Sequence, residues 1–161
     1  MSKKLYIASP FGFSEAGRYY MYETVIPEIA HLGYEILDPW KLTPEELIAE
    51  VTSMPFGVEK RDKWREINTI IGANNSKAIR ESDGLFAILD GVDVDSGTAS
   101  EIGYAAALGK PIVGYRGDFR LSADNEGGTV NIQVQYFIEM HGGKLIQELS
   151  NLTEALKSVF G

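Results

Sequence analysis

Apolar residues occur in short runs separated by longer segments of mixed polarity. Leu5 to Ala8 is one such run and reads as a first strand, broken by Ser9, Pro10 and Gly12. Ser14 is placed to cap a helix reaching about His31, with Gly33 just past its end; Pro27 predicts a kink or a division within it. Tyr34 to Leu37 reads as a second strand, ended by Asp38-Pro39. Thr43-Pro44-Glu45-Glu46 predicts a helix start, with Thr43 as N-cap, Pro44 at the first helical position and Glu46 closing a capping box. Ser53 to Gly57 reads as loop. Lys60 to about Glu81 reads as a long helix, weakened near Gly72. Leu85 to Leu89 is a third strand, and Gly97 to Leu108 a helix stopped by Gly109. Pro111 to Tyr115 is a fourth strand, followed by a helix over Ile132 to Met140. A short strand at Lys144 to Ile146 and a last helix over Leu152 to Val159 complete the chain.

Short strands without polar alternation belong to sheets covered on both faces. The alternation of strands and helices predicts an α/β fold: an open, parallel, flavodoxin-like sheet of about five strands with helices on both faces. Residues 1–161 suit one domain with its own core. Ligands of such sheets bind beyond the carboxyl ends of the strands.

Composition narrows the function classes. The chain has no cysteine, which excludes disulfides, thiolate nucleophiles and Cys-based metal sites. The two histidines, His31 and His141, lack metal-ligand spacing, so no metal is expected. Net charge is −8, which disfavours nucleic acid and favours a neutral or cationic small molecule. The first apolar run is too short for a signal peptide and nothing approaches a membrane span, so a cytoplasmic location without membrane association is expected.

Candidate chemistry concentrates in Asp90 to Gly109, DGVDVDSGTASEIGYAAALG. Asp90, Asp93 and Asp95 crowd the loop after the third strand, and Glu101 falls in the expected first turn of the next helix. Thr98-x-x-Glu101 also has the form of a capping box, and loop aspartates are commonly solvated turn residues. Against that reading stand the loop's place at the binding edge, the like charges without an evident partner, and the small residues Gly97, Ala99 and Ser100. A helix N-terminus favours an ionised carboxylate, and such a carboxylate can attack an anomeric carbon.

The stretch DSGTASEIGYAAALGKPIVGY resembles the signature of the nucleoside 2-deoxyribosyltransferase family, as do the opening LYIASPF and the segment NSKAIRESDGLFAILDG. The resemblance spans most of the chain, and its specific part is Glu-x-Gly-Tyr-Ala. It implies that Glu101 is the nucleophile of a covalent deoxyribosyl intermediate and that Tyr6 orients it. It further implies that Asp95 holds the sugar hydroxyls, that Phe11 and Asn75 contact substrate, and that Asn131 reaches a 5′-hydroxyl across a subunit interface. The active site would then be shared within a homo-oligomer built on a dimer. The substrates implied are 2′-deoxynucleosides and free nucleobases, with no cofactor.

Taken singly, Tyr6 also reads as an ordinary strand aromatic, and Asp95 and Asn131 as helix caps. Two positions depart from the family pattern. Many members carry aspartate where this chain has Asn75, which can hydrogen-bond a base but not protonate it. Where some members place glutamine, this chain has Trp40, which suits stacking on a base or anchoring the next helix.

Three other readings compete with this one. A deoxynucleoside 5′-monophosphate N-hydrolase of the same superfamily needs phosphate donors, for which Ser9, Ser96 and Thr98 offer only hydroxyls. A receiver-like signalling module would put its acceptor at Asp90 but needs an acidic pair after the first strand, where this chain has Ala8-Ser9-Pro10. A calcium loop over Asp90 to Glu101 fails at its inner positions. Trp64 reads as a residue that packs or faces a partner, and the polar stretch Asp118 to Thr129 as a mobile cover for the site.

Overall fold

A computed structural model describes residues 2–161. Five strands form one parallel sheet: β1 (Lys4–Ala8), β2 (Glu35–Leu37), β3 (Gly84–Ile88), β4 (Ile112–Tyr115) and β5 (Lys144–Ile146). Their spatial order is β2-β1-β3-β4-β5, the flavodoxin-like order. The chain winds one way from β1 to β2 and the other way from β3 onward. The switch point therefore lies between β1 and β3, where Ala8 pairs with Ala87.

Seven α-helices cover the sheet: α1 (Glu15–Tyr20), α2 (Ile26–His31), α3 (Glu45–Ser53), α4 (Val58–Glu81), α5 (Ser96–Ala107), α6 (Ile132–Glu139) and α7 (Leu152–Phe160). Alternate strand residues feed two cores. Leu5, Ile7, Phe86 and Ile88 pack with Val25 and Ile29 beside α2 and with Leu152 and Leu156 of α7. Tyr6, Ala8, Leu85 and Ala87 pack with Ala78 and Ile79 of α4, Ile102 and Ala105 of α5, and Ile138 of α6. Burial on both faces explains why the strands carry no polar alternation. It also turns Tyr6 toward α4 and α5, whereas Leu5 and Ile7 turn away.

Several local expectations change. Pro27 divides its helix through one wide π turn, Met21–Val25, in which the Ile26 N–H bonds the Met21 carbonyl five residues back. The backbone stays right-handed throughout, so the ring is accommodated without a break. The capping box at Thr43 does not form. Pro44 is the N-cap, and Thr43 is buried, its hydroxyl within 3.4 Å of Asn74 on α4. Helix α4 runs unbroken for 24 residues, and Gly72 faces open space, so its propensity cost is carried by the packed turns around it. Gly33 and Gly109 end their helices at φ of +91° and +72°, conformations that a side chain would strain. No helix among the described residues is long and apolar enough to cross a membrane.

Candidate functional site

Beyond the carboxyl ends of β1 and β2 opens a cavity of about 620 Å³, at the place the topology reserves for a ligand. Its walls come from the turns after β1 and β2, from helices α3 and α4, and from the start of α5. Glu101, Asp95, Asn75 and Trp40 all line it, although they lie up to 61 positions apart in sequence.

The floor is a pair. The Tyr6 hydroxyl donates to Glu101 Oε1 at 2.5 Å. Tyr6 is fully buried, and its hydroxyl is held far above its usual range, first by burial and then by the neighbouring carboxylate. It therefore remains a donor at any ordinary pH. Burial lifts the Glu101 carboxyl to about 7, with the Asp95 charge adding to the rise and the Tyr6 hydrogen bond opposing it. Two expectations are corrected here. Asp95, not Thr98, caps α5, accepting from the Thr98 N–H at 3.0 Å, so no Thr98–Glu101 capping box exists. Glu101 then lies in the second turn, beyond the strong field of the helix end, and desolvation outweighs the dipole.

The crowded acids have partners after all. Asp90 accepts from the Gly117 and Asp118 N–H groups at 2.6 and 2.9 Å, and Asp93 from the Val94 N–H at 2.7 Å. Backbone donors thus offset the repulsion that the spacing suggested. Asp95 is the member of the loop that also faces the cavity.

Opposite the acids stands an aromatic wall. Buried Asp38 accepts from the Trp40 N–H at 3.1 Å and from the Tyr22 hydroxyl at 2.8 Å, fixing the turn that carries Trp40. The Trp40 indole meets Phe13 edge-on with centroids 4.8 Å apart. It lies directly over Gly12, where an added Cβ would come within 1.9 Å of the ring. Phe13 lines the cavity, whereas Phe11 does not; Phe11 packs inward on Tyr20 at 5.9 Å between centroids.

Helix α4 supplies the remaining wall through Trp64, Asn68, Ile71 and Asn75, spaced i, i+4, i+7, i+11 on one face. Trp64 thus lines the cavity, a placement the expectation of packing or facing a partner did not include. The signal was the helical spacing itself, masked because polar and apolar residues share the stripe. The side-chain oxygen of Asn75 is buried without a hydrogen-bond partner. Such a group carries a cost that a ligand donor would relieve.

Two expected features lie elsewhere. Asn131 caps α6, accepting from the Gln133 and Val134 N–H groups, and does not enter the cavity of its own chain. The stretch Asp118 to Thr129 does not cover the cavity. It is tied down through Asp124 to the Ile132 N–H at 2.7 Å and through the Thr129 N–H to Gln135, beside α6.

Residues 5–137 match the family model described as nucleoside 2-deoxyribosyltransferase. No curated protein matches the chain in sequence. Among solved structures, a conserved protein from Enterococcus faecalis V583 is 24% identical, with 98% of each chain covered and a TM-score of 0.68. A 2-desoxiribosyltransferase from Leishmania mexicana is 23% identical, with 96% of each chain covered and a TM-score of 0.63. A 2-deoxyribosyltransferase from Bacillus psychrosaccharolyticus is 24% identical over 92% of this chain and 89% of its own, with a TM-score of 0.62. At these identities the structural likeness establishes the fold, and the family model establishes membership.

Proposed function

Because the chain belongs to the nucleoside 2-deoxyribosyltransferase family, we propose that it exchanges the nucleobase of 2′-deoxynucleosides through a covalent ester of Glu101. The observation that carries this reading is the Tyr6–Glu101 pair at the floor of the cavity. Tyr6 holds Oε1 and leaves the other oxygen of Glu101 for C1′. As the C1′–N bond breaks, its electron pair departs with the base and a C1′–O bond to Glu101 forms. In the second half an acceptor base attacks C1′, the pair of the C1′–O bond returns to Glu101, and the acceptor loses its N–H proton to solvent. Asp95 receives the sugar hydroxyls, Asn75 offers its unpaired oxygen to a base N–H, and Trp40 stacks on the base. Asn75 cannot protonate the departing base, so that proton comes from solvent.

The lining favours a neutral substrate. It contains the acids Asp95 and Glu101 and no lysine or arginine, which suits a nucleoside better than a nucleotide phosphate. Asn131, outside its own chain's cavity, would serve a neighbouring copy, so the working unit is a homo-oligomer. The test is chromatographic. Purified protein with 2′-deoxyinosine should release 2′-deoxyadenosine when adenine is added, and Glu101→Ala should lose turnover by several orders of magnitude. Hypoxanthine release without a new nucleoside would make the enzyme a hydrolase. Near-normal activity in the variant would falsify the role of Glu101.

A further inference from the structure

The two ends of the cavity differ in chemistry. The inner end is polar: Glu101, Asp95, Thr98, Ser9 and Asn75. Asn75 belongs to that end because the next turn of α4, at Ala78, packs in the same core as Tyr6 and Ile102. From there α4 runs back alongside α3. Asn74 donates to the Leu42 carbonyl before the start of α3, while Lys60 donates to the Thr52 carbonyl at its end. Trp64 is eleven residues before Asn75, a distance along the axis of about 16 Å. That exceeds the length of a purine ring system held at Asn75. The outer end is formed by Ile48 of α3 with Ile71 and Trp64 of α4, and its polar member is the neutral amide of Asn68.

We propose that this outer end is an apolar annex for a substituent on the nucleobase, so that bases bearing a hydrophobic or aryl group are preferred to unmodified ones. The inference rests on the nucleoside-transfer reading and names its substrate class. Asn75 fixes the base through its unpaired oxygen, and the substituent lies along α4 past Ile71 toward the Trp64 indole. Apolar burial without new charged contacts gives the preference, since a neutral amide and three hydrophobic side chains repel no aryl group.

The test uses the wild-type protein with 2′-deoxyinosine as donor and adenine or N6-benzyladenine as acceptor. The annex predicts kcat/KM for the benzylated acceptor at least about tenfold above that for adenine. Ile71→Trp, which fills the annex, should reverse that ratio, and Trp64→Ala should reduce it. A benzylated acceptor no better than adenine, or a ratio that both substitutions leave unmoved, overturns the annex while base transfer itself stands. If neither acceptor is turned over, quenching of tryptophan fluorescence by the two free bases decides the matter. Tighter binding of N6-benzyladenine, weakened in Ile71→Trp, supports the annex without the transfer reading, and equal binding overturns the annex.

Discussion

A nucleophilic Glu101 would have to be ionised, yet burial holds its carboxyl at about 7. If Glu101 is the nucleophile, kcat/KM should fall about tenfold per pH unit below that value and level off above it. Tyr6 works in the opposite sense, because its hydrogen bond favours the carboxylate. Tyr6→Phe should therefore move the acid limb to higher pH as well as lowering turnover. A pH profile of both proteins checks this, and an unmoved limb would show that the hydroxyl does not tune Glu101. Gly12 makes a further residue-scale prediction. A valine there cannot coexist with the Trp40 indole in its present position. If Trp40 stacks on the base as proposed, Gly12→Val should raise KM for the donor several-fold, measured by initial rates.

Among the elements, the loop from β3 to α5 is positioned by a clasp that the charge pattern does not reveal. Arg116, directly after β4, is 1% exposed. It donates to the Leu89 carbonyl at 2.6 Å, to the Gly91 carbonyl at 3.1 Å and to the Arg120 carbonyl at 2.6 Å. Asp90 returns the contact by accepting from the Gly117 and Asp118 N–H groups. The two loops thus hold each other, and one of them leads into Asp95 and α5. Arg116→Met should leave three carbonyls without that donor and cost about 2–3 kcal/mol in urea unfolding. A small shift of Asp95 and Glu101 should also lower kcat by about 10- to 100-fold. Equal kcat in a folded variant would show that the clasp serves stability alone.

At the level of the whole molecule, the same carboxyl links function to stability. In the unfolded chain Glu101 titrates near its ordinary value of 4.5, and in the folded chain near 7. Between those values the folded protein keeps a proton that the unfolded chain has lost. Its contribution to stability therefore falls as pH rises through the window and stays low above it. Glu101→Gln removes the ionisation and should be more stable than wild type at pH 8, by on the order of 3 kcal/mol. The gain should shrink toward pH 4.5, as paired thermal melts would show. A variant that is no more stable at pH 8 would mean that Glu101 is ionised there at little cost.

What the sequence determined by itself follows from local rules. Non-alternating apolar runs such as Leu85–Leu89 point to a sheet covered on both faces, and strands separated by helices to a parallel α/β fold, whereas the order β2-β1-β3-β4-β5 was decided by the tertiary structure. The spacing of small and acidic residues around Glu101, read with the family resemblance, singled out a residue that the fold places in the cavity. The tertiary structure decided what depends on neighbours distant in sequence. The pKa of Glu101 is set by the Tyr6 hydroxyl, Asp95 and the depth of the cavity, and helix position alone suggested the wrong balance. The partners of Asp90 and the burial of Arg116 arise only when β3 and β4 lie side by side. Trp64 and Asn68 join the site because α3 and α4 pack antiparallel, which turns an irregular stripe on one helix into the wall of a cavity. Propensity and period act within one element, whereas desolvation and pairing require the folded chain.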